Sequence, residues 1–247
     1  TRTVTGWVNE VAEVPVVVKL TPNVASLEPI VRAAEEAGAD GFTAINTVAA
    51  LMGVDIESFE PLPSVGGRGT FGGYSGPGIK PIGLRSVAQV ALSSSRPVSG
   101  VGGISDWRDA VEYMLVGATT VQLCTQVMLR GYGVISALTE GLAGYMTRHG
   151  FGSVSEVVGR ALPGLAAHEE LDRSRRVVFS VDRELCDGCR LCVVACSDAG
   201  YGAARLGDDG IARIDPERCD GCSLCAHVCP VKGCVVMEPR PVTGRGF

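Results

Sequence analysis

The chain has 247 residues, 46% hydrophobic and 20% charged, with a formal net charge of −5 and a pI near 5.3. That length suits one good-sized domain plus a small one, and the acidic balance without any basic run argues against nucleic acid as a partner. No apolar stretch approaches the ~20 residues of a membrane helix and no secretory signal is visible, so no membrane is expected, and a reducing cytoplasm is the expected setting for the ten cysteines.

Thr1–Val14 reads as the end of a helix already under way, so the chain is expected to be a fragment of a longer protein. Val14–Leu20 (VPVVVKL) is a short β-branched run, as a buried parallel strand requires. Thr21, Pro22 and Asn23 break it. Ser26 is placed to cap a helix running to Ala37, with Gly38 as its stop. Asp40–Asn46 is the next strand. Thr47–Gly78 is glycine-rich and long, the length of a functional lid or binding loop. A helix follows over Lys80–Leu92, with Pro81 in its first turn. Arg96–Gly102 is a strand, Ser105 is placed to cap a helix over Asp106–Val116, Thr119–Thr125 is a strand, and Gly133–His149 is a helix. One more helix is expected over Ser155–Leu162, and the charged run His168–Arg176 reads as a solvated linker.

Strand and helix alternate, which predicts an α/β fold with a parallel sheet. No G-x-G-x-x-G follows an early strand, so the dinucleotide fold lacks its fingerprint. The run Gly100–Ile104 before a capped helix, then a strand ending in Cys124–Thr125, suits the last two units of a (β/α)8 barrel, where phosphate often binds. A whole barrel needs roughly 200 residues or more. Residues 1–150 are enough for half, so they are either the C-terminal half of a TIM barrel or no barrel at all; residues 151–177 read as a helix and linker, and residues 178–247 as a ferredoxin-like α+β domain.

Eight cysteines form two runs of one spacing, C-x2-C-x2-C-x3-C: Cys186, Cys189, Cys192 and Cys196, then Cys219, Cys222, Cys225 and Cys229, the last followed by Pro230. In this bacterial-type run the fourth cysteine of each motif ligates the other cluster. The expected sets are Cys186, Cys189, Cys192 and Cys229 for one [4Fe–4S] cluster, and Cys196, Cys219, Cys222 and Cys225 for a second. Zinc is the rival reading for paired C-x2-C, but the third cysteine, the x3 step and the closing Cys-Pro are not zinc spacing. Disulfides between such close cysteines would close only strained loops. The halves Val181–Ala204 and Ile214–Met237 form an internal repeat, and Gly207–Gly210 is a turn between short strands.

In a parallel barrel the chemistry sits at the C-terminal strand ends. Lys19 ends an apolar strand, where an anion could partner it, although a snorkelling lysine would look the same. Asn46 offers a donor and an acceptor on one amide, suited to a lactam or imide, but also to an Asx turn. Gly102 and Gly103 let backbone N–H groups approach a phosphate. Cys124 and Cys234 have the bland alternative of small buried residues.

Lys19–Asn23 (KLTPN), Asn46–Val48 (NTV), Leu51–Gly53 (LMG), Gly72–Gly76 (GGYSG) and Ile79–Pro81 (IKP) together resemble the FMN barrel of dihydropyrimidine dehydrogenase. That barrel is similar to class 1 dihydroorotate dehydrogenases. The order of FMN barrel and then two clusters resembles the iron–sulfur and FMN subunit of the NAD-dependent enzyme, lacking here the first half of its barrel. The resemblance implies an oxidoreductase acting on CH–CH bonds, which reduces uracil or thymine to the 5,6-dihydropyrimidine. Electrons from NAD(P)H would pass through the clusters to FMN. It implies FMN contacts from Lys19, Gly76, Gly102, Gly103, Cys124 and Thr125, and substrate contacts from Asn46 and Thr47. The partner would be an FAD-containing, NAD(P)H-oxidising flavoprotein subunit in a hetero-oligomer. The family's general acid is a cysteine ahead of the helix that opens this chain; no cysteine precedes Cys124, so no catalytic residue is assigned and the chain alone is expected to be inactive. The alternatives are a ferredoxin-type electron carrier, an assembly subunit that docks partner flavoproteins, and a dihydroorotate dehydrogenase-like flavoenzyme with a fused ferredoxin.

Overall fold

The computed structural model describes residues 1–172 and 175–241. The chain divides into two compact units, Thr1–Leu165 and Ala166–Phe247. Arg173 and Ser174, within the charged run, lie outside the described residues.

In the first unit, α1 (Arg2–Asn9) precedes the alternation β1 (Val17–Leu20), α2 (Glu28–Glu35), β2 (Gly41–Ala44). The segment that follows holds four short strands, β3 (Val48–Ala50), β4 (Gly53–Val54), β5 (Pro61–Leu62) and β6 (Gly72–Tyr74). Then come α3 (Lys80–Ser93), β7 (Val98–Val101), α4 (Trp107–Leu115), β8 (Thr120–Gln122), α5 (Thr125–Arg130) and α6 (Gly133–His149). Strands β1, β2, β7 and β8 form one parallel sheet in that order. Phe42 and Val98, paired in register, are buried with Val31, Val87, Val90 and Tyr113 in the core beneath the helices. Helix α3 packs on β2 and β7, flanked by α2 and α4.

Because side chains alternate along a strand, the next register position faces the other way. Lys19, Thr43, Ser99 and Thr120 are aligned there across all four strands. Parallel sheets are ordinarily apolar on both faces; this row is polar, and Thr43, Ser99 and Thr120 in it are hydrogen-bonded. The Thr120 hydroxyl donates to Ser99 Oγ (2.8 Å), and Gln122 Nε2 donates to Ser99 Oγ (2.8 Å) and Thr43 Oγ1 (3.3 Å).

Several elements differ from expectation. The Thr47–Gly78 stretch is two antiparallel ladders, β3 with β6 and β4 with β5, ending in a 3-10 turn at Pro77–Ile79. Asp106, not Ser105, caps α4: its carboxylate accepts from the Arg108 and Asp109 N–H groups, while Asp109 reaches back to the N–H groups of Ser105 and Asp106. Thr125 opens helix α5 instead of ending strand β8. No α-helix forms over Ser155–Leu162. The Glu156 carboxylate accepts from the N–H groups of Gly152 and Ser153 and holds a 3-10 turn at Val154–Glu156, and Gly159 then turns left-handed at φ 76.

In the second unit, β9 (Arg175–Val181) pairs antiparallel with β12 (Val235–Pro241), and β10 (Ala204–Leu206) with β11 (Ala212–Ile214). Helices α7 (Leu191–Asp198) and α8 (Leu224–Val228) pack on each other. The two halves repeat each other's backbone. Gly188 and Gly221 are left-handed at φ 72 and 73, and so are Arg190 and Ser223 at 67 and 64, and Gly200 and Gly233 at 82 and 83. A Cβ on Gly188 would sit 2.7 Å from the Gly210 carbonyl oxygen, and one on Gly221 2.7 Å from that of Val177, so glycine is needed at both. Among the described residues no helix is long and apolar enough to cross a membrane.

Candidate functional site

In the first unit, the C-terminal ends of the four parallel strands open on one cavity of about 180 Å³. Its lining includes Lys19, Asn46, Thr47, Gly76, Gly102, Gly103, Cys124 and Thr125. All eight residues chosen from the sequence for flavin or pyrimidine contacts therefore share one cavity, although they come from five segments of the chain.

Each is held there for a local reason. Lys19 is exposed and, among the described residues, forms no ion pair. Asn46 follows β2; its N–H donates to the Leu20 carbonyl (2.8 Å), and its Oδ1 accepts the Thr47 N–H (2.9 Å), while its amide NH2 has no partner among the described residues. Asn23 clamps this corner. Its Nδ2 donates to the Thr47 carbonyl and its Oδ1 accepts from Ala49 N–H (2.8 Å), tying the start of β3 to the chain after β1. The Thr125 hydroxyl donates to Ser75 Oγ (3.0 Å) and packs beside Gly76.

The Gly102–Gly103 turn is built from beneath. Gly102 and Gly103 have φ of 125 and 76. A Cβ on Gly103 would lie 2.6 Å from the backbone nitrogen of Lys80, so only glycine lets the turn pass over the start of α3. The Tyr113 hydroxyl donates to the Gly102 carbonyl (2.6 Å). Tyr113 is wholly buried, and a Cβ on Gly83 or Gly100 would overlap its ring or hydroxyl. Burial first, and then the Asp109 and Glu112 charges, push its phenol up past the range of ordinary titration, so it stays a donor. Lys80 is held by Asp109 (2.7 Å) and Glu112 (3.0 Å). Burial pushes Asp109 up, but the hydrogen bonds from Lys80 and from the Ser105 and Asp106 N–H groups outweigh it and hold the carboxyl below its usual value.

Sequence reasoning missed Asn23, Tyr113 and Gln122 as parts of this site's frame. Gln122 lines the cavity and closes the polar row; its only sequence signal was being two positions from Thr120 on one strand.

In the second unit, Cys196, Cys219, Cys222 and Cys225 line one pocket, with Tyr201, Ala203, Ala204 and Ile214 among its walls. Cys196 comes from the first run and its three companions from the second. Its Sγ accepts from the N–H groups of Ala203 (3.2 Å) and Ala204 (3.4 Å). The Cys186 N–H donates to the Asp182 carbonyl (3.1 Å), beside which the Cys234 Sγ lies (3.8 Å), and the Cys229 thiol and the Cys234 N–H share the Val231 carbonyl. Burial, ahead of neighbouring thiols, pushes Cys225 up to about 11 and Cys234 up to about 12. Among the described residues no three His, Cys, Asp or Glu side chains converge as one metal ion requires.

Comparison with known proteins agrees with both units. Residues 1–146 match the sequence model of dihydroorotate dehydrogenase, and residues 179–237 match a 4Fe-4S dicluster domain. The chain is similar to the NAD-dependent dihydropyrimidine dehydrogenase subunit PreA of Escherichia coli K12, 38% identical over 192 residues, covering 76% of this chain and 47% of that one. It is also similar to the catalytic subunit of dihydroorotate dehydrogenase B (NAD(+)) of Pyrococcus abyssi, 48% identical over 155 residues, covering 63% and 50%. A third relative is the chloroplastic dihydropyrimidine dehydrogenase (NADP(+)) of Arabidopsis thaliana, 37% identical over 179 residues, covering 70% and 42%. The chain spans about half the length of the curated relatives it matches. Through residues 1–146, more than half its length, the chain belongs to the dihydroorotate dehydrogenase family, and a 4Fe-4S dicluster domain follows.

Proposed function

We propose that this chain supplies the pyrimidine- and flavin-binding strand ends of a (β/α)8 oxidoreductase together with its electron inlet. The observation that carries this reading is the shared cavity: eight residues from five chain segments meet at the C-terminal ends of one parallel sheet. The reaction class is reduction of uracil or thymine to the 5,6-dihydropyrimidine.

FMN, when bound, supplies hydride transfer to a ring carbon and one-electron exchange with clusters. The rest is the work of this chain's residues. Lys19 brings an unpaired positive charge to the cavity, where it counters negative charge on a reduced flavin. The free amide NH2 of Asn46 donates to a pyrimidine carbonyl, and Thr47 lies beside it. Gly76, Gly102 and Gly103 let backbone N–H groups approach the flavin phosphate, and Cys124 and Thr125 complete the wall. In the second unit, Cys186, Cys189, Cys192 and Cys229 would hold one [4Fe–4S] cluster, and Cys196, Cys219, Cys222 and Cys225 the other. Four thiols around one apolar-walled pocket, one of them taking two N–H bonds, fit such a cluster. The electron donor is an FAD-containing subunit that oxidises NAD(P)H.

The test is a titration of the full chain with FMN, followed by flavin fluorescence, and then with uracil, thymine and orotate, followed by perturbation of the bound flavin spectrum. Uracil or thymine should perturb the spectrum, and Asn46→Ala should weaken that response about tenfold while iron content stays constant. Absence of flavin binding would overturn the enzyme reading. A second reading, a dihydroorotate-type enzyme, is favoured by the 48% identity across the first unit; a response to orotate with none to uracil or thymine would establish it instead.

A further inference from the structure

Cys234 lies outside both cysteine runs, yet it is buried to 2% exposure. Its Sγ lies 3.8 Å from the Asp182 carbonyl, which also accepts the Cys186 N–H (3.1 Å), and its N–H shares the Val231 carbonyl with the Cys229 thiol (3.5 Å), so it sits beside two of the four residues proposed to hold one cluster. The backbone fixes it from both sides: Cys234 N–H donates to the Val231 carbonyl (3.2 Å), and its own carbonyl accepts from Asp182 N–H (2.7 Å). Its Sγ–H has one proton to give. The Asp182 carbonyl is a poor recipient, 3.8 Å away. A cluster-bound cysteinyl sulfur carries negative charge, and a hydrogen bond to an ionised acceptor is roughly twice as strong as one to a neutral acceptor.

We propose that Cys234 is a tuning residue. Its S–H donates to a ligand sulfur of the cluster held by Cys186, Cys189, Cys192 and Cys229, and raises that cluster's reduction potential. The sign follows from charge. The reduced cluster is the more negative state, so a donor aimed at its sulfurs favours it. The twin half supplies the contrast. There Cys196 Sγ takes its two donors from the main chain, at Ala203 and Ala204. The residue after left-handed Gly200 is Tyr201, where Cys234 follows left-handed Gly233. One site is thus served by backbone donors that any residue but proline keeps, the other by a side-chain donor that a substitution to alanine removes.

The inference rests on the two-cluster reading, so the experiment separates the two failures. The full chain, reconstituted anaerobically with ferrous iron and sulfide, is first assayed for iron; about eight irons per chain are required by two four-iron clusters. A dithionite titration followed by electron paramagnetic resonance is then run on the wild type, Cys234→Ala and Cys234→Ser. In Cys234→Ala one of the two potentials should fall and the other stay. The expected size is about a tenfold change in the oxidised-to-reduced ratio, or about 59 mV for a one-electron couple. Cys234→Ser keeps a donor and should restore the shifted potential at least in part. Iron well below eight in the wild type overturns the cluster reading. Full iron with both potentials unchanged in Cys234→Ala overturns the tuning role, as does an identical shift in the Ala and Ser variants, which would mark a packing effect. Loss of iron or a three-iron signal in Cys234→Ala would make Cys234 a ligand, and also overturn it.

Discussion

The two units assemble their candidate sites in opposite ways. In the second, the eight run cysteines lie within one short stretch, and each run's first three cysteines fall on one loop and the helix turn that follows it. In the first, Lys19 and Thr125 meet at one cavity only because β1, β2, β7 and β8 align in parallel. A site written into local spacing depends on individual residues; a site written into topology depends on whatever keeps the sheet and its turns in register. Substitutions should therefore fail differently in the two units.

The largest effect is expected where even the local site reaches across its own repeat. Cys196→Ala, a change in the first run, should remove the cluster of the second run, seen as loss of about half the iron with one set of paramagnetic signals kept. Loss of the first-run cluster instead would make each run a closed unit. Next in size, Gly100→Val should drive a side chain into the buried Tyr113 ring and destabilise the first unit by about 3 kcal/mol, read as a lowered denaturation midpoint. The comparison sharpens if iron content is unaffected. Asp109→Asn should come third, at about 2 kcal/mol, because it weakens the Lys80 pair and the N-cap of α4 together. This carboxyl also predicts a pH effect. Its folded-state value lies below the ordinary 3.8, so its contribution is full at neutral pH and is lost as pH falls below about 4 towards the folded value. The wild type should lose stability over that window more steeply than Asp109→Asn in urea titrations at stepped pH. The smallest effect concerns the repeat itself. Arg190 is left-handed at φ 67, so Arg190→Gly should relieve strain and raise the second unit's stability by up to ~1 kcal/mol, with no change in iron content.

The same contrast governs how much could be read from the residues. The Cys runs and their glycines were legible because the chemistry repeats within a few positions. Helix α6 was legible in full, Gly133–His149, while β1 was found but overextended: Val14 is 73% exposed and the strand begins at Val17. The hairpins after Asn46 were not legible, since strands of two or three residues, two of the four carrying glycine, show no alternation to recognise. Helix α5 was missed because Val121–Cys124 reads as a strand that continues, and only its turn into Thr125 shows otherwise. At the cavity, Lys19, Asn46, Thr47, Gly102, Gly103, Cys124 and Thr125 could be named from strand ends and Gly76 from the family resemblance, but Asn23, Tyr113 and Gln122 could not. Their parts depend on which carbonyl or hydroxyl the fold brings within reach.

The Tyr113 socket constrains how this chain can vary. One phenol forbids a side chain at Gly83 on α3 and at Gly100 on β7, and its hydroxyl holds the Gly102 carbonyl. Three positions on three elements thus behave as one heritable character. A chain that replaced Tyr113 with a smaller residue would free Gly83 and Gly100 to drift and would release the turn above them. A chain that filled either glycine would first have to give up the tyrosine. Among homologues, these positions should change together or not at all.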